Sequence, residues 1–317
     1  MRPLKKIKMN RYIKAFCLLS FAAIIASCKK DDDNAVAPPR DYAVQYGTEK
    51  PQIEEYLKTH FIASVSEDFD IVIGNIMRGD QHVSLWDRQQ NTPDYPLIKR
   101  EVSLNGVVYD VYYLILAEGI GETPTRYDNV RISYRGWRLD DNQFDYDPFP
   151  QGFLPLSGVI EGWQEIIPLF KTGVYDNTPS PDPGEFTHFG AGVMFLPSDL
   201  GYYELSRPNI PSYSPLVFSF KLYEMQTADS DGDGLPDKYE TENGIALADY
   251  DIDNDGTPNY IDTDDDNDGY LTRNEISIYD ENGNATGVLS FEQIPTCTGG
   301  SVKRHLDPSC NQEFGSN

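Results

Sequence analysis

Val130-Arg-Ile-Ser-Tyr134-Arg-Gly136-Trp137 opens the stretch that decides the fold, and Leu216-Val217-Phe218-Ser-Phe220-Lys-Leu222-Tyr223 closes it. Both alternate apolar with polar side chains, the two-residue period of a strand with one buried face. Between them Trp163, Ile166, Ile167 and Phe170 recur at helical intervals, which predicts one helix over Glu161–Lys171 despite Pro168. Upstream, Glu101 to Glu118 alternates and is rich in Val and Tyr, and Asn105-Gly106 marks a hairpin turn. Lys50 to Phe61 spaces Ile53, Tyr56, Leu57 and Phe61 as an amphipathic helix ahead of the main domain.

The same stretch carries aromatic residues around one acid. It holds Tyr134 and Gly136, Phe144-Asp145, Val159-Ile160-Glu161-Gly162-Trp163, Gly201-Tyr202, Ile210-Pro211 and Leu216-Val217-Phe218. In this order the set resembles the FKBP-type peptidyl-prolyl isomerases. The resemblance implies α+β architecture, a bent antiparallel sheet wrapping one short helix, and a reaction, rotation about the bond before proline. It also implies roles. Tyr134, Phe144, Val159, Ile160, Trp163, Ile210, Tyr202 and Phe218 would line the proline cleft, with Trp163 as its floor. The Ile160 N–H and the Tyr202 hydroxyl would donate to substrate carbonyls. Asp145, held by the Tyr134 phenol, would face the reacting carbonyl. Phe149 or Phe153 would fill a further position. The run Val174–Thr187 reads as an inserted loop, and the rim after Tyr202 lacks the family's usual histidine, so substrate preference is open.

Such a reaction needs no cofactor. Amide resonance sets a barrier of about 20 kcal/mol. A dry aromatic pocket disfavours the polar planar amide relative to the twisted one, which ordered donors then hold.

At Thr227 the composition changes. Asp229 to Glu281 holds eighteen acids against Lys238 and Arg273, with too little apolar content to bury a core alone. Three loops share one spacing: Asp229, Asp231, Asp233, Leu235, Asp237, Glu240; Asp251, Asp253, Asp255, Thr257, Asn259, Asp262; and Asp264, Asp266, Asp268, Tyr270, Thr272, Glu275. Each puts side-chain oxygens at positions 1, 3, 5, 9 and 12, a backbone carbonyl at 7 and glycine at 6, the arrangement in which six to eight hard oxygens surround Ca²⁺. The alternative is a solvated acidic linker. Without long flanking helices the run resembles thrombospondin type 3 repeats, which implies an irregular calcium-bound stalk.

The formal net charge is −25 and the first 28 residues are basic, so the remainder is more acidic still. That excludes nonspecific nucleic-acid binding, which needs basic surface. Arg2, Lys5, Lys6, Lys8, Arg11 and Lys14 precede an apolar run, Ala15–Ala26, too short to span a bilayer. It ends Ile25-Ala26-Ser27-Cys28, which resembles a bacterial lipobox and implies a signal peptide over 1–27 and lipid on Cys28. An ordinary secretory signal or an uncleaved anchor is the alternative. Lys29-Lys30-Asp31-Asp32-Asp33 begins a flexible tether over 28–48 and resembles the signal that sends some lipoproteins to the outer face of the outer membrane. Cys297 and Cys310 remain for a disulfide in an exported chain, and no CxxC motif occurs. The four histidines are isolated.

The expected organisation is signal peptide, tether, a helical extension over 49–101, an isomerase domain over 102–226, calcium repeats over 227–282 and a cross-linked tail over 283–317. The expected function is an envelope-anchored isomerase acting on proline-containing polypeptides. A noncatalytic FKBP-like binder and a structural calcium-dependent surface protein are the alternatives.

Overall fold

The computed structural model describes residues 38–89, 94–176, 185–242, 245–297 and 299–310. The signal peptide, Cys28 and the charged tether lie outside these residues. Residues 40–317 form one compact unit, with no helix among those described long and apolar enough to cross a membrane.

A seven-stranded antiparallel sheet organises the unit. Its strands are β3 (Leu97–Leu104), β4 (Val107–Ala117), β5 (Asn129–Arg138), β6 (Gln143–Asp147), β7 (Leu154–Pro155), β10 (Gly190–Leu196) and β11 (Leu216–Gln226). The order is β3-β4-β10-β11-β5-β6, with β7 on β5. Asn105 and Gly106 take φ of 50° and 75° in the β3–β4 turn, the left-handed pair that a tight hairpin requires. Alternation sends Val130 and Ile132 of β5 and Leu216, Phe218, Phe220 and Leu222 of β11 to one face, where Trp163, Ile166, Ile167 and Phe170 complete a core.

The expected single helix over Glu161–Lys171 is two pieces, α2 (Glu161–Ile166) and a 3₁₀ turn Ile167–Leu169. Pro168 has no N–H to donate, so the α-helical ladder ends before it and the apolar stripe continues at a tighter pitch.

The opposite face of the sheet is also covered. Tyr112, Leu114, Leu116, Ala191, Val193, Phe195, Trp137 and Val217 pack there with Ile53, Tyr56, Leu57 and Ile71. The covering layer is α1 (Tyr42–Thr59) and the hairpin of β1 (His60–Val65) and β2 (Ile71–Asn75). The segment expected as a helical extension over 49–101 is therefore α-helical only to Thr59 among the described residues. It supplies a third layer through α1 and this hairpin, and its residues 97–101 are part of β3 in the main sheet. Helix α1 also begins earlier than the apolar spacing indicated, at the Asp41 cap, whose carboxylate accepts the Val44 N–H at 3.0 Å. Its first half buries Gln45 and Glu49, which apolar periodicity does not register. Phe61 lies beyond the helix, in β1. The reading of an inserted loop over Val174–Thr187 corresponds to a two-stranded ribbon, β8 (Val174–Asp176) on β9 (Glu185–Thr187).

The acidic segment is not a bare stalk. Leu235, Ile276 and Ile294 form a small core with Tyr239, Val288, Leu289 and Phe291 packed on it. It joins the loops to α3 (Thr272–Glu275), to the hairpin of β12 (Ser277–Tyr279) and β13 (Ala285–Val288), and to the tail. The apolar content expected to be too small suffices because the tail contributes half of it. Cys297 and Cys310 are disulfide-bonded, with Cα atoms 5.7 Å apart. Closing a loop of this length contributes about 3 kcal/mol in the chain-entropy model.

Candidate functional site

Strands β5 and β11 pair with Gly136 opposite Phe218, and β6 brings Asp145 opposite Gly136 from the other side. A Cβ on Gly136 would stand 2.5 Å from Phe144 Cε2 and 2.8 Å from Phe218 Cε1, so only glycine lets the two rings close over this point. Phe144 and Phe218 meet edge to face at 5.4 Å, Trp163 meets Phe218 at 5.3 Å, and Tyr134 meets Trp163 at 5.0 Å. These are the offset geometries that aromatic quadrupoles favour. Trp163, Phe218 and Ile210 are buried, while Tyr134, Phe144, Val159, Ile160 and Tyr202 are half-buried against the same core. The buried rings thus form an apolar floor, and the half-buried ones leave its upper side partly open to solvent.

Its polar groups are few. The Tyr134 hydroxyl donates to Asp145 Oδ2 at 2.8 Å, and Asp145 Oδ1 accepts the Tyr146 N–H at 2.8 Å. Burial, reinforced by Asp145, raises the Tyr134 phenol well above its ordinary range and keeps it a donor. Ile160 caps α2 with extended backbone, and its N–H makes no hydrogen bond among the described residues. The buried Trp163 Nε1 likewise has no acceptor. Tyr202 follows a 3₁₀ turn, Ser198–Leu200, with the Arg207 guanidinium 5.3 Å from its ring.

Phe149 and Phe153 do not join the ring cluster. Phe149 is 78% exposed and lines, with Tyr134 and Tyr146, a cavity that also includes Asp68 and Phe69, so it borders the cluster on the Tyr134 side; Phe153 lies beneath the Arg131 guanidinium at 5.0 Å.

Apolar patterning missed what supports the rim. Glu49 of α1 accepts from the Ser198 N–H at 2.8 Å and the Ser198 hydroxyl at 2.5 Å. Tyr109 donates to Asp199 at 2.8 Å. The covering layer thus pins the turn that presents Tyr202. Burial raises the Glu49 carboxyl above its usual range, opposed by these hydrogen bonds. The only signal for it was a lone acid on a helix face.

The acidic loops share a second, repeating geometry. The residues at positions 4 and 6 are left-handed in all three: Gly232 and Gly234, Asn254 and Gly256, Asn267 and Gly269. The carboxylate at position 3 accepts the N–H of position 5, and that at position 5 accepts the N–H of position 7. One oxygen of each is thereby tied back. The second oxygens of Asp231, Asp233, Asp253, Asp266 and Asp268 are buried and have no donor. The clusters Asp229/Asp231/Asp233, Asp251/Asp253/Asp255 and Asp264/Asp266/Asp268 each bring carboxylate oxygens within 4.8 Å of one another. That all-oxygen set suits a hard divalent cation.

Position 9 behaves otherwise than expected. Asp237, Asn259 and Thr272 spend their side-chain oxygens on the N–H of position 2, at 2.7, 3.0 and 3.2 Å, so they brace the loop. At position 12, Glu240 and Glu275 are buried and accept no hydrogen bond; Arg304 Nε lies 3.6 Å from Glu275. Asp262 accepts the Asp264 N–H at 3.0 Å. Leu235, Thr257 and Tyr270 hold position 7. Burial, reinforced by neighbouring carboxylates, pushes Asp231 and Asp266 up to about 6, Asp233 to about 7 and Glu275 to about 8.

Comparison with known proteins divides along the same line. The family described as BamM C-terminal matches residues 226–304, the acidic loops and most of the tail. The FKBP-type peptidyl-prolyl cis-trans isomerase FkpA of Escherichia coli strain K12 is 30% identical over 131 residues, 40% of this chain and 41% of that protein. A probable FkpA of Neisseria meningitidis serogroup B is 32% identical over 116 residues, 36% of this chain and 37% of its own. The peptidyl-prolyl cis-trans isomerase Mip of Coxiella burnetii is 31% identical over 131 residues, 40% of this chain and 50% of its own. The chain thus spans two fifths to a half of these relatives. Among solved structures, a peptidyl-prolyl isomerase from Pseudomonas syringae matches at 18% identity and TM-score 0.35, covering 60% of this chain and 99% of its own. FkpA of Escherichia coli matches at 20% identity and TM-score 0.34, covering 70% and 75%. The homologues are FKBP-type isomerases at modest identity, and the fold is sheet-dominated with few helices.

Proposed function

We propose that the aromatic cleft isomerises X-Pro bonds in polypeptides and that the acidic loops bind calcium. The observation that carries the first part is the Tyr134–Asp145 pair set beside an open apolar cleft with an unengaged Ile160 N–H. A proline ring seated on Trp163 among Phe144, Val159, Ile210 and Phe218 leaves water. The carbonyl before it then loses the solvation that favours the planar, charge-separated amide. The Ile160 N–H and the Tyr202 hydroxyl hold the neighbouring carbonyls, so the twisted bond is bound better than the planar one. Asp145 faces the carbonyl carbon as negative charge leaves its oxygen, and Tyr134 keeps the carboxylate oriented.

Support for calcium is the set of buried oxygens without donors. Isolated buried carboxylates are costly, and a divalent cation bound by oxygens removes that cost. In this reading calcium is structural and no residue of the cleft contacts it. The lipobox-like Ile25–Cys28 supports an anchor in the envelope, with Cys28 as the lipidated residue and labelled fatty-acid incorporation into wild type against Cys28→Ala as its test.

The catalytic reading is tested by two-dimensional exchange NMR on a proline peptide with an apolar residue before proline. The purified full chain should accelerate cis/trans exchange. Folded wild type no faster than buffer would leave a noncatalytic binder.

A further inference from the structure

Asp265 stands at the second position of loop 3, which supplies no ligand in a loop of this kind. It is nevertheless 2% exposed, and neither of its carboxylate oxygens accepts a hydrogen bond. It lies against loop 1. Carboxylate oxygens of Asp233, Glu240 and Asp265 are all within 4.8 Å of one another. Asp233 is 2% and Glu240 1% exposed, and Asp233 Oδ2 and both Glu240 oxygens also lack a donor. Three buried acids thus converge with no basic side chain to pair them. Arg273, whose charge acts weakly on Asp233, donates instead to the Gly232 carbonyl at 3.0 Å.

Three unpaired carboxylates in one buried place are untenable when ionised. A compact divalent cation between them would replace repulsion by coordination. The donors are all oxygens, and burial leaves little room for the waters that Mg²⁺ retains, so the ion indicated is Ca²⁺. We propose that Asp265 is a calcium ligand supplied by loop 3 to the site of loop 1, shared with Asp233 and Glu240. This rests on the calcium reading of the loops and adds to it that loops 1 and 3 bind as a unit. Calcium at this place clamps two stretches of chain that are separate in sequence, and loop 2 lies outside the clamp.

The test is calcium calorimetry and thermal melting of the full chain, in calcium and in chelator, for wild type, Asp265→Asn and, in loop 2, Asp255→Asn. Asparagine is nearly isosteric but removes the charge. Asp265→Asn should weaken one site at least about tenfold. It should melt lower than wild type in calcium and higher in chelator, where the cost of burying or protonating one acid is gone. Asp255→Asn should weaken a different site without that reversal. If Asp265→Asn binds calcium as wild type does, or shifts melting in the same direction in both conditions, the shared site is wrong while the calcium reading stands. If wild type binds no calcium at 10 mM, both fall. Should Asp265→Asn not fold, Glu240→Gln is read by the same criteria.

Discussion

The cleft and the acidic loops hold their carboxylates in opposite states, exposed and hydrogen-bonded in one, buried and unengaged in the other. In the cleft the one carboxylate, Asp145, is satisfied by a phenol and a backbone N–H. The groups left unengaged there are donors, the Ile160 N–H and Trp163 Nε1. In the loops the unengaged groups are, apart from the Asn259 amide nitrogen, carboxylate acceptors, and they are buried in clusters. A protein folds around the cleft unaided, because aromatic burial drives it. The loops fold around charge that they cannot neutralise themselves. On the proposed reading, the unengaged donors of the cleft would meet carbonyl oxygens and the unengaged acceptors of the loops a cation.

That contrast breaks most readily at the loops. With dissociation constants of about 10⁻⁴ M, 10 mM calcium suppresses opening by about a hundredfold per site. Protease should cut the full chain between residues 229 and 282 at least about a hundredfold faster in chelator than in calcium. Equal resistance in both would make the loops self-sufficient and erase the difference between the regions.

At the cleft, Asp145→Val and Phe144→Ala should each lower isomerisation by about tenfold or more with the circular dichroism unchanged, and Tyr202→Phe by less. An Asp145→Val protein of full activity would remove the electrostatic part of the mechanism and leave desolvation alone. Gly136→Ala sharpens the packing side. Its methyl group meets Phe144 and Phe218, so we expect a loss of about 1–3 kcal/mol in denaturant unfolding, together with reduced activity.

Acidity separates the two regions more gently. Asp231, Asp233, Asp266 and Glu275 have folded values of about 6, 7, 6 and 8, above the ordinary carboxylate range. Acids raised by folding take up protons as they fold. In chelator the loops should therefore gain stability as pH falls from about 8 towards 5 and lose it as pH rises through these values. With calcium the sign reverses for binding, since protons compete for the same oxygens. Calorimetry should show affinity falling by several-fold between about pH 8 and 6. Affinity independent of pH there would place the cation away from the buried acids. The smallest effect expected is on catalysis. Chelator should change isomerisation by less than about twofold, because distant, unshared sites act independently. A larger loss would couple the regions through contacts such as the Ala228 N–H on Asp128, which joins the end of the sheet to the first loop at 3.3 Å.

How legible each region was follows from what its signals depend on. The strand alternation, the Asn105-Gly106 turn and the ring residues around Gly136 could be read in order along the chain. The Tyr134–Asp145 bond was implied only by the family resemblance. Phe149 and Phe153 were offered for the cleft because aromatic residues look alike in sequence; an exposed ring and one beneath Arg131 differ only in their neighbours. Position 9 of each loop was read as a ligand because an Asp, Asn or Thr oxygen can serve either a cation or an N–H, and spacing does not say which.

The sequence by itself determined the local elements, the glycines at strained turns and the repeating acidic spacing, while the residues lining the cleft were named through the family resemblance. The first three follow from backbone sterics, side-chain period or donor chemistry within a dozen residues. Tertiary structure decided that α1 and its hairpin cover the second face of the sheet. It decided that Glu49 holds the Ser198 turn, that the tail supplies Ile294 and Phe291 to the core beneath the loops, and that Asp265 meets Glu240. These are contacts between segments far apart in the chain, formed because buried polar and apolar groups must find partners, and no local pattern names the partner.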